Sequence, residues 1–148
     1  MKAGRVLAVD PGARRYGLSM SDPTGAIARP IGVVEGEPAL LDELRRLIHE
    51  EDVRLIVLGL PLNKDGTLGP SAKEAIALKA RLEAALAKPV ETWDERFTTS
   101  QAEGFLRQAG LNARRRAEKV DAVAAQILLQ SFLDRSRAAE AEEAGERG

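Results

Sequence analysis

The chain has 148 residues, a formal net charge of −1 and no cysteine. That bounds it to one domain with a single unstapled core, and it excludes disulfides, thiolate metal sites and a generally basic nucleic-acid-binding surface. A cytoplasmic, reducing setting fits the missing cysteines, and with no membrane-length apolar run and no cationic-apolar leader, neither membrane insertion nor secretion is expected.

The apolar run from Arg5 to Asp10 predicts a first strand that ends in an acid. A turn through Pro11-Gly12-Ala13-Arg14-Arg15 leads to a second strand, Tyr16 to Ser21, and a turn at Asp22-Pro23-Thr24-Gly25 leads to a third, Ala26 to Val34. Turns this short between neighbouring extended runs imply an antiparallel meander. A helix follows from Leu40 to Glu51, and His49, the single histidine, reads there as a solvated helix residue, which makes zinc an unpromising metal.

Leu55 to Leu60 is apolar on both faces, the pattern of a central strand covered by helices on each side. The next helix, Ser71 to Leu86, opens with capping-box spacing in Ser71-Ala72-Lys73-Glu74 and carries Ala75, Ile76, Leu78, Leu82 and Leu86 at helical intervals, with Pro89 beyond its end. A strand from Val90 to Glu95 and helices near Ser100 to Gln108 and Glu118 to Arg135 complete the order. Crossover helices make this half parallel, so the expectation is an α/β fold with a mixed five-stranded sheet between two helical layers. Residues 138–148, rich in Glu, Ala and Gly, read as a frayed or disordered charged tail on a domain of residues 1–137.

The chemistry-bearing feature is a set of acids. Asp10 ends the first strand, Asp94-Glu95 ends the last, and Asp121 lies in the final helix, where Ala124, Ala125 and Leu128 share its face. An acid at the end of a buried strand is costly to desolvate unless a positive charge neutralises it, and acids this far apart in sequence are able to converge on one divalent cation. Plainer readings stand beside this one: Asp10 as a turn initiator, Asp121 as an acid favoured by a helix N-terminus. Adjacent strand residues point to opposite faces, so Asp94 and Glu95 are alternatives; Glu95 is preferred for its longer arm, with Asp94 as the other ligand candidate or a helix cap.

Cationic residues lie near these acids in sequence. Arg14, Arg15, Arg96 and Lys119 flank them, Arg114-Arg115-Arg116 extends the set, and Asn63 and Lys64 sit in a loop from Gly59 to Gly69 suited to touching phosphate or sugar. A charge run is also the ordinary make-up of a solvated face. One Trp, one Tyr and three Phe are too few for a base-stacking platform, so backbone and shape recognition is the expectation.

A three-strand meander leading into two parallel strands is the element order of the ribonuclease H-like fold, whose expected strand order is 3-2-1-4-5. The blocks Asp10-Pro11-Gly12-Ala13-Arg14-Arg15-Tyr16-Gly17-Leu18-Ser19, Gly59 to Thr67, Asp94-Glu95-Arg96-Phe97-Thr98-Thr99 and Lys119 to Ala125 together resemble the bacterial YqgF family of Holliday-junction resolvase-like proteins. They occur in the family's order across residues 5 to 133. The resemblance implies a nuclease that processes the 5′ end of pre-16S ribosomal RNA or, alternatively, resolves branched DNA. Asp10, Glu95 and Asp121 would then hold one or two Mg²⁺ or Mn²⁺ ions through hard oxygen ligands. The end of the fourth strand departs from the wider fold, with Gly59-Leu60-Pro61-Leu62-Asn63 where many relatives carry an acid.

Two other classes remain open: an actin-like nucleotide-binding fold, for which the chain has room for one domain only, and a noncatalytic ribosome-assembly scaffold. A monomer or a homodimer is compatible with the pattern, two-fold junction symmetry favouring the latter.

Overall fold

The computed structural model describes residues 4–94 and 113–147, with side chains of the second segment described for 122–143 and 145. Strands β1 (Arg5–Pro11), β2 (Arg15–Ser21) and β3 (Ala28–Glu35) form the meander. Helix α1 (Glu37–Glu50) leads to β4 (Val53–Leu60), α2 (Pro70–Leu86) leads to β5 (Val90–Asp94), and the last described helix is α3 (Ala113–Arg147). The sheet runs β3-β2-β1-β4-β5, antiparallel through the meander and parallel from β1 to β4 to β5. This is the ribonuclease H-like order expected from the sequence. The helix expected near residues 100–108 lies outside the described residues.

Strand alternation divides the core in two. Leu7 and Val9 of β1 join Leu18, Ile56 and Leu58 beneath Leu40, Leu44 and Leu47 of α1 and Leu78 and Leu82 of α2. Val6 and Ala8 point the other way and join Leu55 and Val57 beneath Leu128, Leu129, Phe132 and Leu133 of α3. The helices thus cover both faces of β1 and β4, which is why those strands carry unbroken apolar runs, Val6 to Val9 and Leu55 to Leu58, while still being short. Each fully buried leucine contributes on the order of 2 kcal/mol of transfer free energy, so the two layers are the main source of stability.

Local chemistry sets the boundaries, and it corrects one expectation. Helix α2 begins at Pro70 with Gly69 as N-cap and no side-chain capping bond, so Ser71 lies inside the first turn rather than capping it. Proline at the first helical position accounts for this, since its fixed φ is already helical and its missing N–H would have had no partner there. The helix ends at Ala87, whose φ of 52° is left-handed and whose N–H bonds back to Glu83 at 3.1 Å. Beyond residue 137 the expected frayed tail carries helical backbone as far as Arg147. Its Ala, Glu and Arg residues are strong helix formers, and residues 137–143 are exposed, so propensity rather than packing sustains this stretch. His49 is exposed in the last turn of α1, as a solvated helix residue should be.

The β2–β3 turn is held by one carboxylate. Asp22 accepts hydrogen bonds from the backbone N–H of Ala26 (2.8 Å) and Ile27 (3.0 Å) and from the Thr24 hydroxyl, while Gly25 takes a positive φ of 72°. These donors, the Thr24 hydroxyl first, hold the Asp22 pKa well below the usual carboxylate value of 3.8. A depressed folded-state pKa stabilises the fold above the unfolded value and is lost as the pH falls toward the folded one. Asp22→Asn is therefore expected to melt below wild type at neutral pH, with the gap closing progressively below about pH 4, as parallel thermal melts across pH would record.

Candidate functional site

The C-terminal end of β1 brings together the residues around the first candidate acid. Asp10 is half-buried and directly opposite Gly17 of β2. On its other side Val9 pairs with Leu58, and continuing that register by one residue sets Gly59 of β4 beside Asp10, with Gly59 in turn paired to Trp93 of β5. Two glycines thus flank Asp10 along the hydrogen-bonding direction, and no Cβ from either neighbour crowds its carboxylate. Asp10 follows Val6 and Ala8 on the α3 face. Gly59 is a residue that the reading of separate acids missed as a site element; the available signal was a glycine inside an otherwise apolar central strand, a mark of close approach by a ligand or another backbone.

The hairpin after Asp10 is tight. The Gly12 N–H donates to the Arg15 carbonyl at 2.8 Å, and a Cβ on Gly12 would lie 2.8 Å from that same oxygen, so only glycine fits without moving backbone. Arg14 is exposed at the tip, and the Gly36 N–H holds its carbonyl at 3.2 Å. Arg15 is half-buried, pairs with Glu35 across β2 and β3, and shares the α3 face with Asp10 by the alternation of β2. Gly12, Arg14, Arg15 and Glu35 line an open depression of about 410 Å³. Gly12→Ala is expected to cost about 1–3 kcal/mol through forced backbone movement, read as a lowered urea midpoint with unchanged m-value.

The middle acids separate by face. Val90 belongs to the core under α1 and α2, whereas Trp93 packs against the α3 core. Alternation then gives Asp94, which is exposed and paired in register with Leu60, the α1/α2 face, opposite to Asp10. Glu95 and Arg96 lie outside the described residues.

Helix α3 runs antiparallel to β1 across its face. Gln130 bonds the backbone of Ala26 and Ala28 at the start of β3 (both 2.9 Å), and one turn and a half earlier the buried Ser19 hydroxyl donates to the Ala125 carbonyl at 2.7 Å. Ser19 pairs with Ala8, two residues short of Asp10, so the helix rises toward the Asp10 end as it is followed back toward its N-terminus. Position 121 lies about 6 Å further along the helix axis than Ala125, in that direction. The side chains of Asp121, Lys119, Arg114, Arg115 and Arg116 lie outside those described.

The β4–α2 loop is held by its own side chains. Asn63 donates from Nδ2 to the Thr67 hydroxyl (2.9 Å), its N–H bonds the Thr67 carbonyl (3.0 Å), and Gly69 leaves room for its carboxamide. Asn63 therefore braces the loop with the group that was expected to reach a nucleic acid. Lys64 is exposed beside it. On the opposite face from Asp10, Arg81 links Glu37 of α1 (2.9 Å) to Glu74 of α2 (2.6 Å), and burial, then the charge of Glu37, pushes the nearby Tyr16 phenol up. Among the described residues no three acidic, histidine or cysteine side chains form a group able to hold a metal, and no helix is long and apolar enough to cross a membrane.

A family model described as RuvX, Holliday junction resolvase, matches residues 4–135. A protein of Pelotomaculum thermopropionicum, provisionally named pre-16S rRNA nuclease, is 42% identical over 133 residues, covering 88% of this chain and 86% of that protein. One of Anaeromyxobacter dehalogenans with the same provisional name is 44% identical, covering 88% and 97%. Among solved structures, the chain resembles T. thermophilus RuvC in complex with a Holliday junction substrate (TM-score 0.51, 18% identity, 90% and 96% covered). It also resembles Fowlpox virus resolvase in complex with Holliday junction DNA (TM-score 0.52, 13% identity, 88% and 97% covered). At those identities the two structures share the fold.

Proposed function

The chain belongs to the RuvX (YqgF) family of nucleases, and from that premise we propose that it is a metal-dependent hydrolase of phosphodiester bonds whose task is the 5′-end processing of pre-16S ribosomal RNA. The relatives at 42% and 44% identity carry that provisional name, and the match spans 86% and 97% of their lengths. The observation that carries the chemical part is Asp10: a half-buried carboxylate at the end of the central strand, flanked by two glycines, on the face crossed by α3.

We assign Asp10, Glu95 and Asp121 as the acids of the site. Asp94 belongs to the other face, which leaves Glu95 as the acid of its pair. Asp121 is four residues before the fully buried Ala125 and seven before Leu128, the spacing of one helix face. The donor chemistry fits a hard divalent cation: the chain has no cysteine, its one histidine is exposed on α1, and what this end of the sheet offers is carboxylate oxygen. Mg²⁺ or Mn²⁺ would, when bound, lower the pKa of water and stabilise charge on the phosphoryl oxygens. The residues' own contribution is positional. Gly17 and Gly59 keep space beside Asp10 for a phosphate, and the Gly12–Arg15 bond fixes the hairpin that carries Arg14 and Arg15. Their guanidiniums, with Lys64, Arg96, Lys119 and Arg114 to Arg116, would neutralise backbone phosphates on either side of the scissile bond.

Branched DNA is the competing substrate, favoured by the name of the matching family. Purified protein incubated with labelled precursor RNA and with a four-way DNA junction separates them. Cleavage of the RNA in Mg²⁺ or Mn²⁺ and its loss on chelation is the expected result. Cutting of the junction alone gives the role to resolution, and binding without cleavage of either, in any metal, removes the hydrolase reading.

A further inference from the structure

At the end of the sheet remote from Asp10, three separate features converge on Arg54. The β1–β4 register is broken there: Arg5 pairs with Val53 and Val6 with Leu55, which leaves Arg54 as an extra residue in a bulge. Bulges re-aim a side chain and are retained where that matters. Gly4 has a φ of +111°, and a Cβ on it would meet the Arg54 Cβ and the Asp52 carbonyl at 3.0 Å each, so glycine there clears the arginine's stem. The outcome is an arginine whose Nε is shut off from solvent with no hydrogen-bond partner among the described residues. A donor nitrogen buried without an acceptor is costly and rare, and because that nitrogen is closed off, it is the rest of this half-exposed guanidinium that is able to meet a ligand.

Arg54 opens onto a pocket of about 150 Å³ whose wall includes Leu133, Ser136, Arg137 and Glu140 of α3 and Thr24 of the β2–β3 turn. The Thr24 hydroxyl is committed to Asp22, so Ser136 is the hydroxyl donor on offer. Two guanidiniums and one carboxylate leave a single net positive charge, with Glu140 exposed at the rim. That balance suits a monoanionic tetrahedral oxyanion better than a dianion.

We propose that the Arg54–Arg137 pocket, with Ser136, is a binding site for a phosphate-class monoanion, the phosphodiester of a polynucleotide or free inorganic phosphate. The site lies about 17 Å from the Asp10 end by the length of β1, so it is independent of the acids assigned above and its test needs no hydrolysis. A nucleic acid spanning the α3 face would use it as a second anchor, away from the scissile bond.

The test uses the full chain, with Arg54→Met, which keeps the stem and removes the charge, and Arg137→Gln as a second variant less exposed to folding failure. Glu140→Gln and Asp10→Asn serve as controls. Thermal melts are taken in inorganic phosphate against chloride at equal ionic strength, and affinity for a noncleaved duplex is measured from low to physiological salt. Phosphate is expected to raise the wild-type melting temperature by a few degrees, Arg54→Met and Arg137→Gln to abolish the rise, Glu140→Gln to enlarge it, and Asp10→Asn to leave it unchanged. If the phosphate belongs to a polynucleotide, the two arginine variants also reduce the slope of log affinity against log salt by about 1. An unaltered salt slope with the phosphate effect intact in wild type points to the free anion. The absence of both effects, or their persistence in both arginine variants, overturns the site.

Discussion

Asp10→Asn is expected to slow hydrolysis by about 10³-fold while moving the melting temperature by no more than about 2 °C. Asparagine has nearly the same shape, and Asp10 is only half-buried, so the backbone pairing with Gly17 and the packing of Val6 and Ala8 beneath it are left intact. What is lost is the negative charge that binds a cation, and an electrostatic contribution of about 4 kcal/mol to the transition state corresponds to that factor. Glu95→Gln and Asp121→Asn are expected to fall with it. Asp94→Asn, on the other face, is expected to stay within about twofold of wild type. Single-turnover rates on one purified substrate, with Asp10→Asn also serving to exclude a contaminating nuclease, decide the matter. A wild-type rate in Asp10→Asn ends the assignment, and a collapse in Asp94→Asn with Glu95→Gln unaffected reverses the choice of middle acid.

Phe132→Ala is expected to remove about 3 kcal/mol of stability, a large part of the 5–15 kcal/mol typical of a domain. Phe132 is buried in the last apolar turn of α3, beside Leu128, Leu129 and Leu133, and its ring meets Trp93 edge-on at 5.4 Å with an interplanar angle of 89°. Truncation takes away the transfer free energy of the ring, leaves a cavity that the strands beneath cannot close, and ends the aromatic pair. Trp93 is the only tryptophan of the chain, so its fluorescence reports on this spot. Urea unfolding followed by that emission should show a lower midpoint, and thermal melting a drop of roughly 10 °C. A loss below about 1 kcal/mol would mean that α3 contributes little to holding the sheet.

Much of the architecture was legible because it follows from periodicity. The alternation of Val6 and Ala8 against Leu7 and Val9, and the double-sided apolar run from Leu55 to Leu58, required helices on both faces, and the short turns at Gly12 and Gly25 required a meander. The helix start at residue 70 was misread because Ser71 and Glu74 have capping-box spacing in a place where Pro70 had already fixed the first turn. The composition of the tail, Glu and Ala without large apolar residues, is common to a disordered segment and an exposed helix, and its backbone is helical to Arg147. At the candidate site, the position of Asp10 at the end of β1 could be read from its strand, but its glycine neighbours depend on pairing register, which no local pattern encodes. Asn63, read from residue type as a ligand contact, also donates its amide within its own loop, a role that residue type alone does not reveal. The Arg54 bulge is likewise a property of two strands together.

The placement of α3 has one more outcome. Ala125 is fully buried where its carbonyl meets Ser19, and one turn later in the helix stands Leu129. Sliding the rod by a turn toward the acid end would drive a leucine into a notch cut for a methyl group, and it would pull Gln130 off the two carbonyl-and-amide pegs of Ala26 and Ala28. The helix therefore clicks into a single stop, like a vernier with one matching line. The height at which position 121 stands above the sheet is gauged from contacts about one to two and a half turns below it, so damage to those pegs would shift position 121 without touching it.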